Sequence, residues 1–163
     1  MAIDVYLTID GIKGESTDID HKDYIECLSV GFGVLQPRSA TASSAGGHTA
    51  ERCEHQDIVV TKLTDIATPL LLEQCSMGKT IPKAKFDFMR ADSDGKRVKY
   101  FSIELENVLI SSVTPHVAQG NIMTESLSIK YSKVKWLYVR QNIKGGTSGN
   151  TAGGWDLSTN QKA

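Results

Sequence analysis

The sequence predicts a mainly β fold, a small antiparallel β-barrel of two packed sheets with one short α-helix on its side. Apolar and polar residues alternate through most of the 163-residue chain, and this two-residue period is typical of half-buried strands. Two long apolar segments change phase midway, as happens when a bulge or bend lets one strand serve two packed sheets. Only one segment carries the start and stop signals of a helix.

The first two predicted strands differ in the type of residue that they carry on the face opposite their apolar side chains. Residues 2–10 alternate strictly, with the apolar residues at the odd positions. In residues 24–34 the apolar face holds Leu28, Val30, Phe32 and Val34, and the opposite face carries small residues. Glycine inside a strand often marks a close approach of another group. We therefore expect that another group passes close to this face or that the face lines a smooth surface.

Residues 35–52 are rich in Pro, Gly, Ser, Ala and Thr and have no apolar period. This composition predicts an extended exposed loop, and a loop of more than about 15 residues is usually functional or disordered. The helix follows a short strand. Thr68 is its expected N-cap, Pro69 suits its first turn, and Gly78 suits the left-handed position that ends it.

The second half of the chain predicts three more strands and a tail. Residues 83–92 alternate and end in an Asp/Gly hairpin turn. Residues 98–113 and 124–139 are the two segments that change phase, and each predicts a long bent strand. Residues 144–163 are Gly/Ser-rich and are expected to form a flexible tail that Trp155 pins to the rest of a single domain, residues 1–163.

Composition excludes several classes of protein. The 18 basic and 19 acidic side chains nearly cancel, so nucleic acid is not an expected partner. Three cysteines without CxxC spacing argue against a disulfide framework and against a zinc ribbon. The N-terminus lacks the features of a signal peptide, and no apolar run reaches the roughly 20 residues that span a bilayer. The expected location is a reducing cytoplasm, without membrane insertion.

Residues 11–27 are dense in polar groups and invite comparison with catalytic and metal-binding loops. A calcium loop that started at Asp18 would need a glycine where Asp23 stands and an acid where Ser29 stands. The segment GESTD also lacks the second glycine of a nucleophile elbow. The simplest interpretation is a solvent-exposed turn in which the Ser16 and Asp18 side chains accept hydrogen bonds from nearby backbone amides. The remaining histidines are scattered, so the sequence predicts no enzyme, no cofactor and no metal.

Motifs along almost the whole chain carry a family resemblance. The first strand with GIKGES and DIDH, followed by QDIVVTK, ATPLLLEQCSMGK, KAKFDF, ENVLISSV, ESLSIKYSKV and GGWDL, resembles the haemolysin-coregulated protein (Hcp) family, the tube subunit of bacterial type VI secretion. The resemblance implies a homohexameric ring whose stacked rings form a tube. Sheath, spike and small effector proteins are the implied partners. The implied route leads from the bacterial cytoplasm to the exterior or into target cells without a signal peptide.

Three sets of residues are predicted to serve this assembly. The small or polar strand faces are expected to line the channel: Ser29, Gly31, Gly33, Ser126, Ser128 and Lys130. The long loop is expected to reach the next ring through Arg38, Ser39, His48 and Arg52. The polar segment is expected to contact a neighbouring subunit through Glu15, Ser16 and His21. A tail-tube protein of a phage-derived contractile particle and a monomeric β-barrel binding module or hydrolase remain alternatives.

Overall fold

The computed structural model describes residues 3–37 and 52–163. In these ranges the chain is mainly β with one helix, as predicted. The elements in chain order are β1 (Ile3–Ile9), β2 (Ile25–Cys27), β3 (Ser29–Gly31), β4 (Val34–Leu35), β5 (Glu54–His55), β6 (Ile58–Leu63), α1 (Thr68–Met77), β7 (Ile81–Ala91), β8 (Arg97–His116), β9 (Thr124–Lys130), β10 (Lys133–Gln141), β11 (Thr147–Asp156) and β12 (Gln161–Lys162). No helix in these ranges is long and apolar enough to cross a membrane.

Two antiparallel sheets close into a barrel, and the predicted fold class is confirmed. Sheet A has the order β12-β11-β10-β8-β7-β1-β2, and sheet B has the order β3-β6-β9-β8. The sheets share β8 on one side. On the other side β2 leads into β3 through Leu28, whose amide donates to the Thr61 carbonyl at 2.7 Å. The interior holds one apolar cluster, with Leu7, Ile25, Phe86, Ile103 and Leu127 all fully buried.

Strand β8 shows how one long segment serves both sheets. Its first half pairs with β7 and β10, and its second half pairs with β9. Asn107 has a φ of +51°, and at this position the buried set moves from Leu105 to Val108. The predicted phase change is therefore a local distortion of the strand. The other long segment is wrongly predicted as one strand, because it breaks at Tyr131 and Ser132 into β9 and β10.

Helix α1 ends as predicted and begins differently. Gly78 takes the left-handed conformation, with a φ of +62°, and its amide bonds to the carbonyls of Gln74 and Cys75. The predicted N-cap is wrong, since Ala67 occupies that position and Thr68 is the first helical residue. The Thr68 hydroxyl is buried and donates to Glu125 at 2.9 Å, so it serves a tertiary contact instead of a cap.

Two other predictions about local structure are corrected. Residues 147–156 form β11, a ten-residue strand paired with β10, where the sequence predicted a flexible tail. Backbone pairing accounts for this difference, because a sheet ladder needs amides and carbonyls but not large side chains. The predicted strand over residues 24–34 is divided among β2, β3 and β4, and Leu28, Phe32 and Val34 are exposed.

Candidate assembly surfaces

The outward face of sheet B brings together most of the predicted channel residues. Ser29 pairs with Thr61, which pairs with Ser126, and Ser126 pairs with Thr114. The next row runs through Gly31, Val59, Ser128 and Ser112. The two rows lie on one face because side chains alternate along every strand. Sequence reasoning missed the contribution of β6 and β8, whose outward residues complete this surface.

We call this surface the hydroxyl face, after the Ser and Thr side chains in both rows. Lys130 lies at the end of β9 and is exposed. It is the one permanently charged side chain at the outward positions of β3, β6, β9 and the part of β8 that pairs with β9. Gly33 does not belong to this face. It follows β3, accepts a hydrogen bond from the Gln56 amide at 3.0 Å, and a Cβ there would meet Gln56 Oε1 at 2.8 Å.

A buried ionic network stabilises the opposite, inner side of sheet B. Lys62 and Glu125 are both fully buried side chains and form an ion pair. Lys62 Nζ also donates to Asp65 Oδ1 at 2.9 Å, and Thr68 donates to Glu125 at 2.9 Å. The network therefore ties α1 to β6 and β9. Sequence analysis missed it, although Lys62 and Glu125 stand at inward positions of alternating strands and could have been identified from the period.

The predicted solvated turn around His21 is wrong. His21 is 5% exposed and its ring stacks on Tyr6 at a centroid distance of 4.3 Å. Its Nδ1 lies 2.8 Å from Asp18 Oδ1, and its Nε2 lies 3.3 Å from Asp87 Oδ2. Asp18 is also paired with Arg97. The imidazole thus joins the 11–27 segment to β1 and β7 inside one subunit.

Of the three predicted contact residues, only Glu15 is free to meet another subunit. Ser16 is 2% exposed, and its hydroxyl accepts a hydrogen bond from the Asp18 amide at 3.2 Å, as the turn interpretation predicted. Burial therefore removes Ser16 and His21 as contact candidates. Glu15 is exposed, and its Oε1 accepts a hydrogen bond from the Ile66 amide at 3.0 Å.

The β4–β5 hairpin lies next to the start of β6. Its two strands stand at the two ends of the predicted 35–52 loop. Val34 pairs with His55, and Leu35 pairs with Glu54. Arg52 is exposed beside this hairpin, whereas Arg38, Ser39 and His48 lie outside the described residues. His55 Nδ1 lies 3.0 Å from the Tyr131 hydroxyl, and its ring stacks on Trp136.

Burial shifts the pKa of several groups near these surfaces. It lowers the pKa of His55 and raises that of Tyr131 to about 12. It also raises the pKa of Cys27 to about 12, so this thiol stays protonated and unreactive at neutral pH. Cys27, Cys53 and Cys75 are all free thiols. The described residues contain no group of three or more His, Cys, Asp or Glu side chains that could hold a metal ion.

Comparison with known proteins places this barrel in a family. The model of the family described as "Type VI secretion system effector, Hcp" matches residues 6–138. The chain belongs to the Hcp family. Protein hcp1 of Pseudomonas aeruginosa is 33% identical over 165 residues, which cover 100% of both chains. The Major exported protein of the same organism is 25% identical, and that match covers 85% of this chain and 90% of the relative.

Solved structures agree with this assignment. A type six secretion system protein superposes with a TM-score of 0.92 at 28% identity, covering 99% of this chain and 100% of its own. Hcp1 of Salmonella typhimurium superposes with a TM-score of 0.77 at 28% identity over 100% of both chains. Hcp proteins are secreted structural proteins of the type VI secretion system and not enzymes, so the predicted structural role is confirmed at this level.

Proposed function

We propose that the chain, as a single domain, assembles into a homohexameric ring and that the rings stack into the tube of a type VI secretion system. Sheath and spike proteins are the expected partners during expulsion, and small effectors travel inside the tube. The hydroxyl face of sheet B is the observation that carries this proposal, because it has the character expected of a channel wall. Membership in the Hcp family supports it.

The chemistry of the hydroxyl face suits a channel that cargo must enter and leave. Serine, threonine and glycine residues give the surface low relief. Val59, which is 42% exposed, is the one apolar side chain in the two rows, so the face offers little of the apolar area that would hold a partner tightly. Lys130 adds its charge at one margin only, so long-range attraction to cargo of either sign is weak. Ser29, Gly31, Ser126 and Ser128 are the predicted residues that we place on the channel wall.

A closed ring needs two different surfaces on each subunit that fit each other, because its interfaces are heterologous. The barrel offers different elements for these surfaces, among them α1 and residues 147–153 of β11, which β12 leaves unpaired. The hydrolase alternative has no support, since Ser16 and His21 are bonded inside the fold. The type VI descriptions of the family model and of the first solved relative favour this system over a phage-derived particle.

The mass of the purified protein tests the ring directly. Light scattering is expected to give about 107 kDa, six times the 17.8 kDa chain. A species that stays at the mass of one chain at every concentration would contradict the proposed ring.

Cysteine accessibility tests the channel wall. In a background in which the three native cysteines are replaced by alanine, Ser29→Cys and Ser128→Cys rings are expected to react with a small maleimide. They should resist a maleimide coupled to a protein too wide for the channel. The control is Glu104→Cys, whose parent side chain is 58% exposed on the outward face of sheet A, and it should react with both reagents. Equal reaction of all three variants with the wide reagent would show that the hydroxyl face is not the channel wall.

A further inference from the structure

Strand β11 carries an open edge along most of its length. One side of the strand pairs with β10, and the other side pairs with β12 only at Trp155 and Asp156. No other strand in the described part of the chain pairs with residues 147–153. Such an edge presents a row of amides and carbonyls that a further extended chain can bind.

A hydrogen bond at the end of β12 shows which residues of β11 face the open edge. The Ala163 amide donates to the Gly154 carbonyl at 3.3 Å. In an antiparallel ladder, alternate residues direct both backbone groups to the same neighbouring strand. Ala152 and Asn150 therefore direct their amides and carbonyls to the open edge, and the residue between them directs its own to β10. A bulge at Gly149, where φ is +67°, ends this regular alternation.

Apart from this bulge, the open edge lacks the features that usually keep strand edges from pairing. Charged side chains and proline are the common ones. Residues 147–153 contain neither a charged residue nor a proline, and all of them except Ser148 are exposed. Their side chains are those of Thr, Ser, Asn and Ala, with two glycines. Small residues of this kind leave room for another backbone to approach.

A depression on the outer face of sheet A adjoins the open edge. Its volume is about 320 Å³, and Ala152 and Leu137 are among the residues that line it. A side chain from a strand placed beside Ala152 can enter it. Lys135, Lys162 and Glu104 also line the depression, so it does not favour a side chain of one charge. It suits an uncharged side chain, and main-chain hydrogen bonds must provide most of the affinity.

The open edge is one of the elements that a ring could use, but its chemistry suits a different partner better. Interfaces of permanent assemblies are generally the more apolar ones. The exposed side of α1 offers apolar area through Leu70, Leu72 and Met77, whereas residues 147–153 offer no large side chain. Strand β12 shows how a strand binds to this edge, since it pairs with the backbone of Trp155 and Asp156.

We infer that the open edge of β11 binds an extended segment of another protein, placed in line with β12. The segment adds to sheet A as a further strand through main-chain hydrogen bonds to Asn150 and Ala152, which is a recurring mode of peptide recognition. Its bonding positions contain no proline, because proline has no amide to donate. The inference goes beyond the proposed function, since this edge belongs to sheet A and the hydroxyl face belongs to sheet B.

Hydrogen exchange of single amides, read by NMR, tests the inference. In the unmodified protein the Asn150 and Ala152 amides should exchange fast. The Thr151 and Gly153 amides should exchange slowly, because their residues pair with β10. The probe is a peptide with blocked ends and about seven alternating Thr and Val residues, the length of an ordinary strand. At millimolar concentration it is expected to slow exchange at Asn150 and Ala152 by about tenfold or more.

The same sequence appended after Ala163 supplies the strand within the chain and should protect the same two amides more strongly, because its effective concentration is higher. The matched control is an appended sequence with proline opposite Ala152 and opposite Asn150. It should give no protection, since it cannot donate the two hydrogen bonds.

Three results would overturn the inference and leave the proposed ring standing. Slow exchange of the Asn150 and Ala152 amides in the unmodified ring would show that a second copy covers the edge. No protection by either probe would show that the edge accepts no further strand. Protection by the appended strand alone would confine the edge to strands of its own chain. A wild-type chain that forms no ring would overturn the proposed function, whereas the exchange experiment would still test the edge.

Discussion

Lys62 and Glu125 show how single residues set the geometry of the barrel. Both side chains are removed from water, and charges in such a position are costly unless they are paired and hydrogen-bonded. Here the pair has further partners in Asp65 and Thr68. The network therefore fixes where α1 meets sheet B.

Removing one member of this network should destabilise the fold strongly. We expect Lys62→Ala to lower the free energy of unfolding by about 3–5 kcal/mol, because Glu125 then stays buried without a cation. The double variant Lys62→Met with Glu125→Leu should recover part of that loss, since it removes both fully buried charges. Asp65 then loses its cation but keeps the hydrogen bond from the Ala67 amide at 3.0 Å. Urea denaturation measures these changes.

The control for this experiment is Lys133→Ala. Its ammonium lies 3.6 Å from Glu106, whose side chain is 45% exposed, and exposed pairs contribute about 1 kcal/mol or less. A loss in Lys62→Ala as small as that of the control would show that the buried pair adds little to stability.

The residues of the 11–27 segment show why the local sequence gave a wrong prediction of the exposure of the His21 side chain. Ser16 and Asp18 bond backbone amides as their spacing predicted. The burial of His21 depends instead on Tyr6 and Asp87, which come from strands distant in sequence. No local pattern contains that information, so the histidine looked like part of a solvated turn.

At the level of elements, periodicity predicted most strands. It failed for strands that form because a neighbouring strand pairs with their backbone. The alternation and the Asp/Gly turn predicted β1, β7 and β8. Strand β11 could not be predicted from its small residues, because its order comes from the backbone of β10 beside it. The β4–β5 hairpin was missed for a similar reason, since each of its strands has only two residues.

The β4–β5 hairpin should respond to acid through His55. Burial holds the pKa of His55 below its ordinary value, so the unfolded chain binds a proton before the folded chain does. The stabilising contribution is therefore complete above about pH 6.5, the value of an unperturbed histidine, and is lost as the pH falls through the folded pKa.

We expect the wild-type free energy of unfolding to fall more steeply than that of His55→Gln between pH 7.5 and pH 5. One proton accounts for a difference of at most about 1.4 kcal/mol per pH unit. Urea denaturation at several pH values measures both slopes. Tyr131 does not contribute to the difference between the slopes, because its raised pKa of about 12 keeps its hydroxyl protonated over this whole pH range. Parallel slopes for the two proteins would mean that His55 does not sense acid in the folded chain.

At the level of the whole molecule, the phase changes in the two long apolar segments predicted that two packed sheets share strands and close into a barrel. The channel face was partly predictable because a small-residue face is unusual on a solvated strand. Its full extent was not, since Thr61 and Ser112 join it only through pairings that the fold creates. The surfaces between subunits depend on several chain segments at once and are the least visible in sequence.

Assembly should also be visible in thermal stability. If folded chains associate into rings, mass action stabilises the folded state, and each tenfold rise in concentration adds about 1 kcal/mol per subunit. For a chain of this size we expect the Tm to rise by about 2–4 °C for each tenfold increase. A Tm that stays constant over a hundredfold range in the wild type would mean that the folded chain gains no stability from its neighbours. The hydroxyl face would then be an ordinary solvent-facing surface.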